Sequence, residues 1–495
     1  MASGVWERRV GKLTALLEVG KAMVAERDLD RLLPLIMGEV TKVMEADRST
    51  LFLVDRERQE LWSKIAQGLE VREIRVKIGT GVAGHVAATG QMVHIPDAYA
   101  DPRFDRTTDL QTGYHTRSIL AVPMANKPGD VIGVIQVLNK REGSFAEEDI
   151  ELLRALSSQA AVAVENALLY EEIQNLLAGF IKASAYAIES RDPTTFGHSE
   201  RVAALTCSLA EHVDRAVAGP YGDVRFSPAD LRELRYAALL HDFGKVGVRE
   251  HVLVKANKLY EADLEGIRVR FHYLKKQKEA EALQRKVALL TARRPEDARM
   301  DLEAVDDWLR GEVARLDDDL AFIQEANRPT ILPQGGFERI MEVAGRTYAD
   351  GDGKVLPLLS PKEALNLSIG KGSLNAEERL EIESHVTHSF HFLRQIPWTR
   401  DLRRIPTIAY AHHEKLNGAG YPNGLTAETI PVQSKIMTVA DIYDALTAAD
   451  RPYKKALPPL KALEILRNEA QGSAIDPELV RIFIESKTYT LTVSG

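Results

Sequence analysis

Residues 236–245 read Tyr-Ala-Ala-Leu-Leu-His-Asp-Phe-Gly-Lys, from Tyr236 to Lys245. An apolar run ends on an adjacent histidine and aspartate, His241 and Asp242. Burying such a pair is costly unless a partner compensates it. The same two residue types recur in short clusters elsewhere: His198 in Gly197-His198-Ser199, His385 in a helical stretch, His412-His413-Glu414, and Asp441 after Val439-Ala440. Imidazoles and carboxylates together suit divalent transition metals such as iron, manganese or zinc. Two metals need about eight to twelve coordination positions, and a bridging aspartate can hold them about 3.5–4 Å apart. Five histidines, two aspartates and bridging waters can meet that demand. His388 and His391 read as packed or surface residues.

Working outward, three zones of texture stand out. In the first, Ser49 to Val54, Leu120 to Met124 and Val131 to Leu138 are short and β-rich and read as strands. Gly79, Gly81, Gly84 and the stretch Pro96 to Asp105 read as loops. Val10 to Glu45 reads as helix interrupted near Pro34, and a mixed or antiparallel sheet flanked by helices fits the zone. The second zone, about 145–188, lacks proline, and Leu152, Leu156, Ala160, Val164 and Leu168 step helically, with Leu176, Leu177 and Phe180 continuing the stripe. A helix of that kind links domains or dimerises, the alternative being a core helix. The third zone is helix-rich. Within it, 256–372 differs. Leu283, Val287 and Leu290 step helically, then Arg294-Pro295 breaks the pattern, and Leu302, Val305, Leu309, Val313, Leu316, Leu320 and Ile323 form a heptad-like seam. A projecting helical hairpin followed by an irregular segment is expected.

The clusters carry a resemblance. His241-Asp242-Phe243-Gly244-Lys245 resembles the HD phosphohydrolase signature. The run His412 to Pro422 is similar to the second signature of the HD-GYP subgroup, Arg191 to Val202 to its opening motif, and Asp441 to Tyr453 to its closing motif. The resemblance covers 176–255 and 373–465. It implies an all-α, metal-dependent phosphodiesterase that hydrolyses cyclic di-GMP to the linear dinucleotide or GMP. By position it implies His198, His241, Asp242, His385, His412, His413 and Asp441 as metal ligands, with Asp242 bridging. Lys245 would contact the scissile phosphate, and Arg451 and Lys454 would hold phosphate oxygens. A metal-bridged hydroxide would be the nucleophile, with Lys245 adding positive charge where negative charge develops. Asn417 stands where an acidic residue is common. Thr194 stands where a carboxylate could support a third metal, so two ions, iron or manganese, are expected. The insertion of roughly a hundred residues bears on substrate preference more than on metal binding.

The first zone resembles a GAF domain, a small-molecule sensor fold. Gly79 to Gly84 with Ile95-Pro96-Asp97-Ala98 is similar to its middle, and Asn139, Lys140, Phe145 and Asp149 resemble the signature of cyclic-nucleotide-binding members. A cyclic-nucleotide receptor and a domain that only dimerises both fit. The expected organisation is a GAF sensor over 1–170 and a linking or dimerisation helix over 145–188. An HD-GYP domain follows over 176–255 and 373–495, with an insertion over 256–372.

Composition sets the remaining bounds. The chain has 495 residues, 45% hydrophobic and 27% charged, as in ordinary globular proteins. Its length suggests roughly three domains. A net charge of -8 argues against binding nucleic-acid polymers. Cys207 is the sole cysteine, so no intrachain disulfide can form and a reducing cytoplasm is expected. No signal peptide or membrane span is read. The expected partners are cyclic di-GMP, a cyclic nucleotide or other small ligand in the GAF domain, and a second copy of the chain. The non-enzymatic rival is a signalling module that binds cyclic dinucleotides or a protein, and another cyclic dinucleotide is the rival substrate.

Overall fold

The computed structural model describes residues 17–63, 74–191, 197–294, 296–448 and 456–492. It divides into two compact units, Met1–Gly179 and Phe180–Gly495.

In the first unit, a helix over 17–25 (α1) and α2 (Leu29–Val43) precede a six-stranded sheet. Its strands are β1 (Ala46–Asp55), β2 (Glu60–Ser63), β3 (Ile74–Lys77), β4 (Val93–Ile95), β5 (Ile119–Ala125) and β6 (Val131–Lys140). The order is β3-β2-β1-β6-β5-β4 and every ladder is antiparallel, so the mixed alternative is set aside. Alternation along the strands loads both faces. Leu51, Leu53, Leu120, Val122, Ile135 and Val137 pack with α1, α2 and the start of α5 (Glu147–Glu189). Phe52, Ile119, Ala121 and Val134 pack on the other face with Val82 and Val86 of α3 (Gly81–Thr89). Short α4 (Thr107–Thr112) lies between β4 and β5 in the chain.

Two local expectations are corrected. The helical break falls at residues 26–28, not at Pro34, which sits inside α2. Asp28 caps α2 by accepting the Asp30 N–H at 2.9 Å, and that cap fixes where the helix starts. Gly84 lies in α3 rather than in a loop, where a Cβ would collide with the Lys77 carbonyl.

The second unit is helical. After α5 come α6 (His198–Asp214), α7 (Pro228–Leu240), a 3-10 turn (Phe243–Gly247) and α8 (Glu250–Leu253). The insertion follows. Helices α9 (Glu261–Ala292) and α10 (Arg299–Ala326) pack as an antiparallel hairpin, tied by Lys275–Asp317, Lys286–Asp306 at 2.6 Å and Arg293–Asp301 at 2.7 Å. Leu283 and Val287 of α9 are exposed. The segment beyond the hairpin is ordered rather than irregular. It forms α11 (Gly336–Ala344), an antiparallel pair β7 (Thr347–Ala349) and β8 (Val355–Pro357), and α12 (Pro361–Leu367). The reason is a separate core, in which Ile340, Val343, Leu358, Leu359 and Leu367 close over Ile267, Phe271 and Ile323. Then α13 (Ala376–Leu393), α14 (Ile405–Tyr410), α15 (Val432–Thr447), α16 (Pro459–Gln471) and α17 (Pro477–Glu485) complete the unit.

Candidate metal centre

Helix α7 opens with a capping box between Ser227 and Asp230 and ends at Leu240, so His241 and Asp242 fall where helix gives way to the 3-10 turn. His385 stands on α13, His412 and His413 follow Ala411 at the α14 end, His198 is the first residue of α6, and Asp441 lies on α15. Three rings are aimed the same way. Nδ1 of His241, His385 and His412 lies 2.7, 2.6 and 2.6 Å from the carbonyls of Ala238, Ile382 and Ala409. A carbonyl only accepts, so Nδ1 carries the proton in each and Nε2 is left with a lone pair.

Those lone pairs meet carboxylates. His385 Nε2 is 3.1 Å from Asp242 Oδ1, and His241 Nε2 is 3.4 Å from Asp242 Oδ2. His198 Nε2 is 3.2 Å from Asp441 Oδ1 and 3.8 Å from Asp242 Oδ2. Among the described residues, Nε2 of His241, His385 and His412 is buried with no hydrogen-bond partner. Lone pairs opposed in a buried site are costly unless a cation lies between them, and a divalent metal fits that donor set. The donor atoms form overlapping groups, each within 4.8 Å: Asp242 with His385, His412 and His413; His198 with His241 and Asp242; His241 with His412 and Asp441. Asp242 belongs to two of them.

Burial opposes ionisation of Asp242, but Lys245 and His241 hold its carboxyl well below the usual range. Lys245 Nζ lies 2.9 Å from Asp242 Oδ2. Asp441 is also lowered, against burial, chiefly by His198. Burial lowers His412 strongly and brings His413 to about 4, so both rings are neutral at neutral pH. Burial lowers His198 too, but Asp441 and Asp444 outweigh it and raise the ring to about 9.

The structure thus brings together all seven side chains named as ligands, with Lys245 beside them. Arg451, Lys454 and Thr194 lie outside the described residues. Several supporting residues escaped the sequence reading. Asp444 accepts from His198 Nδ1 at 2.8 Å and from Arg201 Nε at 2.7 Å. Its spacing of three from Asp441 on one helix was the available signal. Ser389 Oγ donates to the His241 carbonyl at 2.8 Å and accepts the Gly244 N–H at 2.7 Å. Gly244 packs so closely that a Cβ would collide with the His385 carbonyl. Glu414 accepts from Asn423 N at 2.7 Å and Leu425 N at 2.8 Å, folding the loop whose Tyr421 ring lies against His413.

In the first unit, a cavity of about 200 Å³ is lined by Arg48, Phe52, Val76, Tyr114 and Gln136, among others. Asn139, Lys140, Phe145 and Asp149 do not line it. Lys140 Nζ instead bonds Asp149 at 3.1 Å and the Met44 carbonyl at 3.0 Å. Asn139 Oδ1 accepts from Arg117 N and Ser118 N, while Phe145 is buried in the core. Lys140 and Asp149 latch β6 to the start of α5, while Asn139 ties β6 to the segment that enters β5.

Comparison with known proteins places both units. The GAF domain pattern matches residues 28–164, and two HD domain patterns match 195–325 and 355–479. The chain carries a GAF domain followed by an HD domain. A dual 3',5'-cyclic-AMP and -GMP phosphodiesterase 11 of Drosophila melanogaster is 38% identical over 176 residues, covering 32% of this chain and 12% of that protein. A cGMP-specific 3',5'-cyclic phosphodiesterase of Drosophila sechellia is 35% identical over 172 residues, covering 31% and 14%. The chain thus matches only a small part of these relatives' length. The GAF domain of a phosphoenolpyruvate-protein phosphotransferase from Coxiella burnetii aligns with a TM-score of 0.30 and 23% identity, covering 32% of this chain and 96% of that one.

Proposed function

We propose that this chain is a metal-dependent phosphodiesterase of the HD-GYP type, hydrolysing cyclic di-GMP to the linear dinucleotide or GMP under control of its GAF domain. The observation that carries the reading is the convergence of five histidines and two aspartates on one buried centre, with Lys245 at its edge. Two divalent ions, iron or manganese, would there activate water and neutralise phosphoryl charge. Asp242 offers Oδ1 to the His385 side and Oδ2 to the His198 and His241 side, which suits a bridging role. The carbonyl partners of Nδ1 orient the rings and keep Nε2 free to ligate. Lys245 supplies a cation for a phosphoryl oxygen, and Arg451 and Lys454 would hold others.

The relatives' names favour a second reading, in which cyclic AMP or GMP is the substrate or the GAF ligand. Regulation would run through α5. Val162, Leu169 and Leu176 are spaced by seven, as are Ile173 and Phe180, and all five are exposed. That pattern supports a homodimer along α5. No helix among the described residues is long and apolar enough to cross a membrane, and a cytoplasmic setting is part of the proposal.

The test pairs metal content with hydrolysis on protein purified without oxygen. Near two metals per chain with cyclic di-GMP turnover supports the reading. Turnover of cyclic AMP or GMP alone moves the substrate, and two metals without any turnover favours a binding module. No metal under any loading condition overturns the metal assignment. If excess cyclic nucleotide changed neither turnover nor melting temperature, the nucleotide-sensor role would be lost.

A further inference from the structure

The end of α5 holds the backbone on two sides of the metal centre. Gly197 precedes α6 with φ 69 and has no side chain to cap it. The cap comes from Glu189, the last residue of α5. Its Oε2 accepts the Gly197 N–H at 2.8 Å and its Oε1 accepts the Ser199 N–H at 2.8 Å. Those two N–H groups flank His198. Glu189 is buried, and a carboxylate at the positive end of a helix is favourably placed. Two residues on, Arg191 donates Nη1 to the Val246 carbonyl at 2.7 Å and Nη2 to the Val248 carbonyl at 3.4 Å. These carbonyls lie at the end of the 3-10 turn that carries Lys245 and follows Asp242.

We infer that Glu189 and Arg191 are positioning residues that tie the C-terminal end of α5 to the segments bearing His198 and Lys245. The inference rests on the metal phosphodiesterase reading. Glu189 sets the height of His198 against Asp242 and Asp441. Arg191 sets the turn that presents Lys245. The two bear on different functions: Glu189 acts on His198, which shares a donor group with His241 and Asp242, and Arg191 acts on the turn that carries Lys245. A movement of the α5 end therefore acts on His198 and Lys245 before it acts on His385, His412 and His413.

The test uses the full chain, stripped of metal and titrated with Mn²⁺ by calorimetry. Wild type is expected to take two ions. Glu189→Ala is expected to weaken one ion by about tenfold or more, the usual scale for losing an outer support of a ligand, and to leave the other unchanged. Glu189→Gln keeps one carbonyl acceptor and is expected to weaken that ion less. Arg191→Ala is expected to keep both ions and lower kcat on bis(p-nitrophenyl) phosphate with KM little changed, and Arg191→Lys to recover part of the rate. Melting curves check that each variant folds. Wild-type affinity for both ions in Glu189→Ala overturns the inference, and so does equal weakening of both. A wild type with two ions and no turnover on any phosphodiester sinks the phosphodiesterase reading, while the Mn²⁺ titration still decides the role of Glu189. A wild type that takes no Mn²⁺ removes the metal reading and the inference with it.

Discussion

Asp242 has the most contested position in the chain. Its two oxygens face His198, His241, His385 and Lys245 within 3.8 Å. Asp242→Ala removes the carboxylate common to two donor groups and should abolish both metal retention and activity, measured on one preparation. Lys245→Ala should keep the metal and slow turnover by about a hundredfold, the scale of losing one charge-stabilising donor. Full metal and full rate in Asp242→Ala would refute the site. Asp444 acts a step further out, through His198. Asp444→Ala should weaken one Mn²⁺ by about ten- to a hundredfold and leave the ion held by His385, His412 and His413 unchanged. An unchanged isotherm would show that Asp444 does not position His198.

At the scale of elements, helices deliver the ligands and ion pairs fasten the helices. α13 begins at a capping box of Asn375 and Glu378, and Glu378 also receives the buried Lys255 ammonium at 2.7 Å. One turn on, Arg249 bonds Glu381 and holds its carboxyl at about 2 against the usual 4.5. The folded state thus favours the ionised form. This pair's stabilisation is complete above pH 4.5 and is lost as pH falls toward 2. Glu381→Gln should lower urea stability of the metal-free protein at pH 6 by at most about 1 kcal/mol, since the pair is partly solvated. The two proteins should converge near pH 2, and a constant gap down to that pH would refute the pairing. The helical hairpin could be read from its seam, because periodicity is local. The small β7–β8 pair was hidden, because three-residue strands exist only against the core that covers them.

At the scale of the molecule, α5 is the one helix that runs through the boundary between Gly179 and Phe180. Its exposed Leu169 and Leu176 lie on the seven-residue spacing. Leu169→Glu with Leu176→Glu should convert a dimer to monomer in sedimentation while leaving Mn²⁺ stoichiometry unchanged. Monomeric wild type at all accessible concentrations would remove α5 as a dimer interface.

The division of labour between sequence and structure follows range along the chain. His241-Asp242 after an apolar run, the paired His412-His413, the strand alternation and the uninterrupted α5 are local patterns, so the sequence alone pointed to the two domain types, and the ligand set came with the resemblance those patterns carry. Tertiary structure decided that His198 and His385, on separate helices, meet at Asp242, and that Asp441, on a third, meets His198 and His241. It also decided that Asp444, Ser389 and Glu189 support that centre. These contacts join residues far apart in the chain, and only close packing around buried charge brings them within bonding distance. The signature at Asn139, Lys140, Phe145 and Asp149 makes the same point, since its bonds hold a helix start and a strand entry and leave the cavity to other residues.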